Sequence, residues 1–130
     1  MVMNIGALKS LDYDFVKKDI RGVVLKVKEL EENAIVKVII ETGYLSEEEK
    51  IKASKLIKQS GAHFVKTSTS FNGSGATVND VRLIRSVVGP DFGIKASGGI
   101  RTYLEAVNLI NAGANRLGTS NAVQLIGKNQ

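Results

Sequence analysis

The chain has 130 residues, of which 43% are hydrophobic and 24% charged, as expected for one globular domain with a single core. Its net charge of +5 comes from lysines mixed with glutamates and without interleaved aromatic residues, so we expect affinity for phosphorylated small molecules and no nucleic-acid binding. No apolar run approaches the roughly 20 residues that span a bilayer, and cysteine is absent, so we expect no membrane contact, no thiolate metal site and a cytoplasmic location.

The first third of the chain predicts a strand, a helix and a second strand. Residues 2–5 form the first strand, which breaks at Gly6, and Asp12 or Asp14 caps a helix that runs to about Glu32. Residues 35–40 are a β-branched run typical of a strand buried on both faces. The apolar side of the helix is expected to contain Phe15, Ile20, Val23, Val24 and Val27.

The rest of the chain predicts three more strand–helix units after a second helix. A capping box at residues 46–49 begins that helix, which ends near Gly61. A strand around residues 63–66 leads through the glycine-rich loop 72–75 to a helix that starts at Thr77 or Asn79 and ends at Val88. Strand 92–96, helix 102–111, strand 116–118 and helix 122–126 complete a βαβαβαβαβα order, which requires parallel strands with helical crossovers.

Two lysines occupy matched positions at the ends of neighbouring predicted strands. Lys66 and Lys95 are one βα unit apart, so their strands are expected to be about 5 Å apart. Two ammonium groups that close do not both keep their protons easily, and a neutral lysine amine attacks carbonyls. Lys37, in the preceding strand, is expected either to add a third cation or to pair with Glu41. A single lysine that extends to solvent from a strand end is the alternative interpretation.

Glycine-rich turns follow the last two predicted strands. Gly98 and Gly99 precede one helix, and Gly118 with Ser120 precedes the next, so backbone N–H groups at two helix starts can converge on one anion. In barrel enzymes a phosphate site commonly lies after the last two strands. Tight turns without a ligand are the alternative. His63, at a strand start, is expected to be structural.

Several of these segments resemble the strand motifs of deoxyribose-phosphate aldolase. The resemblance lies in residues 36–42, in Gly-Ala-His-Phe-Val-Lys-Thr-Ser-Thr at 61–69 and in Gly-Ile-Lys-Ala-Ser-Gly-Gly-Ile-Arg-Thr at 93–102, with flanking similarity at 4–10 and 116–120. It implies a class I aldolase that reversibly cleaves 2-deoxy-D-ribose 5-phosphate to acetaldehyde and D-glyceraldehyde 3-phosphate. Lys66 would form the Schiff base, and Lys95 would lower its pKa and take part in proton transfer. The phosphate would contact Gly98, Gly99, Arg101, Gly118 and Ser120, with Thr67 and Lys37 as further binding residues. No metal or organic cofactor is implied.

The resemblance also defines the expected fold. Residues 1–130 are similar to the last five units, strands four to eight, of a (βα)8 TIM barrel, and the family's proton-relay aspartate would fall immediately before Met1. A (βα)5 portion has two unpaired sheet edges, so we expect a homo-oligomer or a complementing chain that covers them. An open flavodoxin-like parallel sheet is the alternative fold. Ser70 stands where the family usually has glycine, and Asn121 where a second serine is common.

The same residues are compatible with two other functions. One is a catalytically silent phosphate-binding or assembly domain that keeps the glycine turns but lacks turnover. The other is a barrel aldolase that acts on a different sugar phosphate.

Overall fold

The computed structural model describes residues 1–71 and 73–127, which form alternating helices and strands. The elements in chain order are α1 (Ile5–Lys9), α2 (Tyr13–Leu30), β1 (Lys37–Ile39), a 3-10 helix (Thr42–Tyr44), α3 (Glu47–Gln59), β2 (Phe64–Lys66), α4 (Val78–Val88), β3 (Gly93–Ser97), α5 (Tyr103–Asn111), β4 (Arg116–Gly118) and α6 (Ala122–Gly127). None of the helices in this described part is long and apolar enough to cross a membrane.

The four strands form one parallel sheet in consecutive order, β1-β2-β3-β4. The helices pack in the same succession, α2 on α3, α3 on α4 and α4 on α5. Right-handed crossovers between adjacent strands place all connecting helices on one face of the sheet, as in a portion of a barrel. The flavodoxin-like alternative has the strand order 2-1-3-4-5 and helices on both faces, which this sheet does not have.

Side-chain caps fix where the longer helices begin. The Asp12 carboxylate accepts from the backbone N–H of Phe15, and the Thr77 hydroxyl accepts from that of Asp80, which decides between the two predicted starts of α2 and of α4. Ser46 begins α3 with the predicted capping box, and Thr102 begins α5 with another. Each cap satisfies a backbone donor that the first helical turn leaves without a partner.

The predicted first strand is wrong in extent. Val2 makes an isolated parallel bridge to Ile39, and α1 begins at Ile5, so Gly6 lies inside a helix. The Asn4 side chain accepts from the Ala7 N–H at 2.9 Å and caps that helix. Because an asparagine cap satisfies a first-turn donor, the chain turns into a helix directly after a minimal pairing with β1.

The core lies between the sheet and its helices. Val38, Val65 and Ile94 are fully buried, whereas their neighbours along each strand are half-buried. The prediction that residues 35–40 are covered on both faces is therefore wrong, since helices cover one face only. The prediction for α2 also fails at Phe15, which is 48% exposed while Val16 is buried in its place.

Candidate functional site

The helix-free face of the sheet presents the two predicted lysines side by side. Lys66 of β2 and Lys95 of β3 are register partners, so they point to the same side of neighbouring strands. Both are half-buried, and both line one cleft of about 540 Å³ at the carboxyl ends of the strands. The sequence prediction of adjacent lysines is confirmed in register and in orientation.

The cleft brings together most of the predicted binding residues. Gly98, Gly99, Arg101, Gly118 and Ser120 all line it together with the two lysines. The lining of the described chain has three cationic side chains and no Asp or Glu, so its charge suits an anion. The remaining lining residues are Ser68, Thr69, Ser70, Ser97, Ile100, Thr119 and Asn121.

The turn before α5, rather than the start of that helix, lines the cleft. The Gly98 N–H donates to the Gly118 carbonyl at 3.4 Å, and the Gly98 carbonyl accepts from the Ala76 N–H at 3.0 Å. Gly98 and Gly99 both have positive φ, 94° and 73°, which glycine adopts without steric cost. The N–H groups of Arg101 and Thr102 donate to the Glu105 carboxylate at 2.8 and 2.9 Å. These bonds lower the pKa of Glu105. Because the capping box occupies them, the expected convergence of two helix starts on one anion is not formed by α5.

Gly118 makes room for a lysine. A Cβ at Gly118 would lie 2.9 Å from the Ser97 Cβ, closer than real Cβ atoms approach, and 3.0 Å from the Lys95 Cε, which is a tight contact. The Lys95 side chain therefore crosses β4 over a residue that has no side chain. In the following turn the Thr119 hydroxyl donates to the Ile100 carbonyl at 2.7 Å and accepts from the Asn121 N–H, which ties the two glycine turns together.

Thr67 lies in the sheet interior and does not line the cleft. It is fully buried, its hydroxyl donates to the Ser97 carbonyl at 3.2 Å, and it accepts from the Ser97 N–H at 3.1 Å. Ser68 and Ser97 exchange hydroxyl-to-carbonyl bonds, both of 2.6 Å. These bonds tie the ends of β2 and β3 together, so the predicted binding residue Thr67 instead supports the strand that bears Lys66.

Lys37 lies on the same face as the cleft lysines but outside the cleft. Its register partner is Phe64, two residues before Lys66, which places it about 6–7 Å nearer the amino ends of the strands. Its Nζ lies 5.5 Å from the centre of the Phe64 ring. Burial, and then the charges of Arg116, Lys95 and Lys66, lower the pKa of Lys37. The expected pairing with Glu41 is not among the ion pairs of the described residues.

Two features of this face were missed from sequence. Arg116 lies 4.8 Å from the Phe64 ring and is the register partner of Lys95, so it adds a fourth cation to the face. The alternation of β4 could have identified it. The hydroxyl-bearing residues Ser68, Thr69 and Ser70 line the cleft after β2, and only their position after a strand end indicated this.

His63 accepts from the Val36 N–H at 3.0 Å, at the opposite end of β2. In loop 72–75, Asn72 lies outside the described residues.

Sequence comparison finds close relatives that are longer than this chain. No family model matches the chain. The deoxyribose-phosphate aldolase of Thermococcus gammatolerans is 64% identical over 126 residues, and that of Thermococcus kodakarensis is 63% identical, each match covering 97% of this chain and 55% of the relative. The same enzyme of Caldanaerobacter subterraneus is 57% identical, with 97% and 54% covered. The chain spans about half the length of these relatives.

Solved structures of aldolases match the fold of this chain. One aldolase structure matches 98% of this chain and 56% of its own with a TM-score of 0.88 and 42% identity. The deoxyribose-phosphate aldolase of Aeropyrum pernix, a tetramer, matches 92% of this chain and 50% of its own with a TM-score of 0.82 and 34% identity. The four-stranded sheet and its outer helices thus correspond to part of an aldolase TIM barrel. The chain is a homologue of the deoxyribose-phosphate aldolases that corresponds to about half of their length.

Proposed function

We propose that this chain contains the Schiff-base lysine and the phosphate-binding turns of a deoxyribose-phosphate aldolase. The proposed reaction is the reversible cleavage of 2-deoxy-D-ribose 5-phosphate to acetaldehyde and D-glyceraldehyde 3-phosphate. The observation that supports it most directly is the in-register pair Lys66 and Lys95, which shares one cleft with the glycine turns.

Lys66 is the proposed nucleophile. Its neutral amine adds to the C1 aldehyde of the open-chain sugar, and loss of water gives a protonated imine. The imine accepts the electron pair of the breaking C2–C3 bond, while the C3 hydroxyl loses its proton and becomes the aldehyde of glyceraldehyde 3-phosphate. The enamine left on Lys66 takes a proton at C2, and water then releases acetaldehyde and the free amine.

Lys95 is the proposed proton-transfer partner. It lies on the neighbouring strand in register with Lys66, where its ammonium can pass a proton to or from the reacting groups. The position of its side chain over Gly118 keeps it in the cleft. The phosphate of the sugar would bind between Arg101 and the Gly98–Gly99 turn, with Ser120 on the other side.

Borohydride trapping tests the nucleophile directly. The folded chain is incubated with acetaldehyde, reduced with borohydride and digested, and the expected result is an ethyl adduct on Lys66. Lys66→Arg should abolish the adduct, whereas Lys55→Arg on the exposed face of α3 should leave it unchanged. An adduct at another lysine, or none in a folded sample, contradicts the proposed role of Lys66.

A second candidate function is anion binding without turnover. It is favoured by the absence of Asp and Glu from the cleft lining in the described part of the chain, because the cleavage needs a group that accepts the C3 hydroxyl proton. Binding of inorganic phosphate without any imine at Lys66 would support this candidate over the aldolase.

We also propose that another chain, a second copy or a complementing partner, covers the helix-free face. The four cations of this face, Lys37, Lys66, Lys95 and Arg116, are outside all ion pairs found among residues 1–71 and 73–127. The outer strand β4 has a neighbour on one side only in this sheet. Sedimentation velocity should therefore give a species larger than 14.0 kDa. A monomer whose strand amides are protected from exchange contradicts this proposal.

A further inference from the structure

Glu41 is the one charged residue among the buried residues of the described chain. It follows β1 directly, it is 5% exposed, and its backbone is left-handed, with φ 55° and ψ 67°. A buried carboxylate requires partners, because an ionised group without them loses its hydration at high cost. A left-handed glutamate is also strained, and such strain persists only where the surroundings impose it.

The partner of Glu41 is the loop that follows the proposed Schiff-base strand. The Oε1 and Oε2 atoms accept from the Thr69 N–H at 3.1 and 3.2 Å, and the Thr69 hydroxyl donates to Oε2. The Thr69 Oγ1 also accepts from the Phe71 N–H at 3.3 Å. Hydrogen bonds to a carboxylate are stronger than neutral ones, so this contact fixes both the backbone and the side chain of Thr69.

The fixed loop is part of the cleft. Thr69 and Ser70 both line it, and Ser70 is itself left-handed, with φ 75°. Among the described non-glycine residues only Leu11, Glu41 and Ser70 have positive φ. Two of these three residues therefore lie at the contact between Glu41 and Thr69. Ser70 also packs against Gly98 of the opposite turn, since its Oγ is so close that it would clash with a Cβ built on Gly98.

We propose that Glu41 is a positioning residue that, acting through Thr69, sets residues 69–71 at the edge of the cleft and thereby determines the affinity of the cleft for the phosphate end of the ligand. Glu41 does not line the cleft and touches no reacting atom in this assignment. The inference deepens the proposed function and rests on its anion-binding cleft, but it does not require turnover.

The test compares phosphate affinity with imine formation in the same variants. Glu41→Gln keeps the size of the side chain and loses the charge, Thr69→Val removes only the hydroxyl, and Thr69→Ser restores it. Glu32→Gln makes the same charge change at an exposed site and serves as the matched control. Affinity for inorganic phosphate is measured by amide chemical-shift titration at fixed ionic strength, and imine formation by borohydride trapping with acetaldehyde, which has no phosphate.

We expect Glu41→Gln to weaken phosphate binding about tenfold and Thr69→Val about fivefold, as loss of hydrogen bonds to a charged group implies. Thr69→Ser and Glu32→Gln should stay within about twofold of the wild type, and trapping at Lys66 should change by less than about twofold in all four variants. A merely structural role would alter both readouts together. Thr69→Val retains the backbone contact to Glu41, so it keeps the test valid should Glu41→Gln not fold.

The outcomes separate this inference from the proposed function. Unchanged phosphate affinity in folded Glu41→Gln and Thr69→Val overturns the positioning role while the anion-binding cleft stands. Failure of the wild type to bind phosphate overturns both. The expected phosphate series without an adduct at Lys66 supports the positioning role and contradicts the aldolase.

Discussion

Replacement of Arg85 should destabilise the fold without altering the cleft. Arg85 is in α4, and its guanidinium donates to five acceptors in the segments that precede β3 and β4. These acceptors are the carbonyls of Gly89, Pro90, Phe92 and Gly113 and the Asn115 Oδ1, at distances up to 3.2 Å. Burial lowers the pKa of Arg85, and the Asp91 carboxylate opposes that shift. One side chain therefore joins the amino ends of two strands.

The expected loss follows from these bonds. A hydrogen bond to a charged group contributes roughly 1.5–3 kcal/mol, and water replaces some of them because the site is only partly buried, so Arg85→Ala should cost about 3 kcal/mol. That loss corresponds to a fall in Tm of about 10–15 °C for a domain of this size. Arg85→Lys should cost about 2 kcal/mol, because one ammonium cannot reach the Phe92 and Gly113 carbonyls together.

Urea unfolding followed by circular dichroism measures the free energy of unfolding, with Arg82→Ala as the control. Arg82 is exposed on the same helix, so its loss should change stability by less than about 0.5 kcal/mol. Phosphate affinity of folded Arg85→Lys should equal that of the wild type, because Arg85 lies at the opposite end of the strands from the cleft. A cost below about 1 kcal/mol for Arg85→Ala, or full rescue by lysine, refutes this reasoning.

Three further predictions concern the cleft and the cationic face. Gly75→Ala should weaken phosphate binding at least about tenfold, because its Cβ would lie 2.7 Å from the Gly98 carbonyl carbon. The control Gly22→Ala has open space in α2, so it should leave phosphate affinity unchanged and add about 0.5–1 kcal/mol of stability. Equal phosphate affinities of the two variants contradict this prediction. Ser70→Gly should tighten phosphate binding about threefold in the same titration, since it removes a left-handed side chain beside the Gly98 turn, and weaker binding would show that the hydroxyl helps instead. Lys37→Met should raise stability at neutral pH, because burial and neighbouring cations lower the pKa of Lys37 below 10.5. Between the folded-state pKa of Lys37 and its ordinary value the unfolded chain binds more protons than the folded one, so the stability of the wild type rises with pH over that range. Urea unfolding between about pH 7 and about pH 11 should show a flatter rise of stability in Lys37→Met. An identical slope in the two proteins refutes this prediction.

The sequence determined the features that depend on near neighbours in the chain. Ser46 and Thr77 cap helices because a side-chain oxygen reaches an N–H only three residues away. Lys66 and Lys95 could be paired in advance because parallel strands with helical crossovers align their carboxyl ends and side chains alternate with a period of two. The prediction of residues 2–5 as a strand failed because the Asn4 cap competes with strand pairing over a segment too short for periodicity to decide.

The tertiary structure decided which polar residue at each strand end faces the cleft and which faces the sheet. Thr67 and Thr69 are two residues apart in a hydroxyl-rich run, yet Thr67 bonds to Ser97 while Thr69 lines the cleft and bonds to Glu41. Nothing local distinguishes them, since the partners are 28 and 30 residues away in sequence. The same holds for Glu41, whose carboxylate binds a loop rather than Lys37. Residue type and strand period determined which groups lie at this edge of the sheet. Whether a group bonds to the neighbouring strand or lines the cleft depends on hydrogen bonds that form only when distant loops pack together.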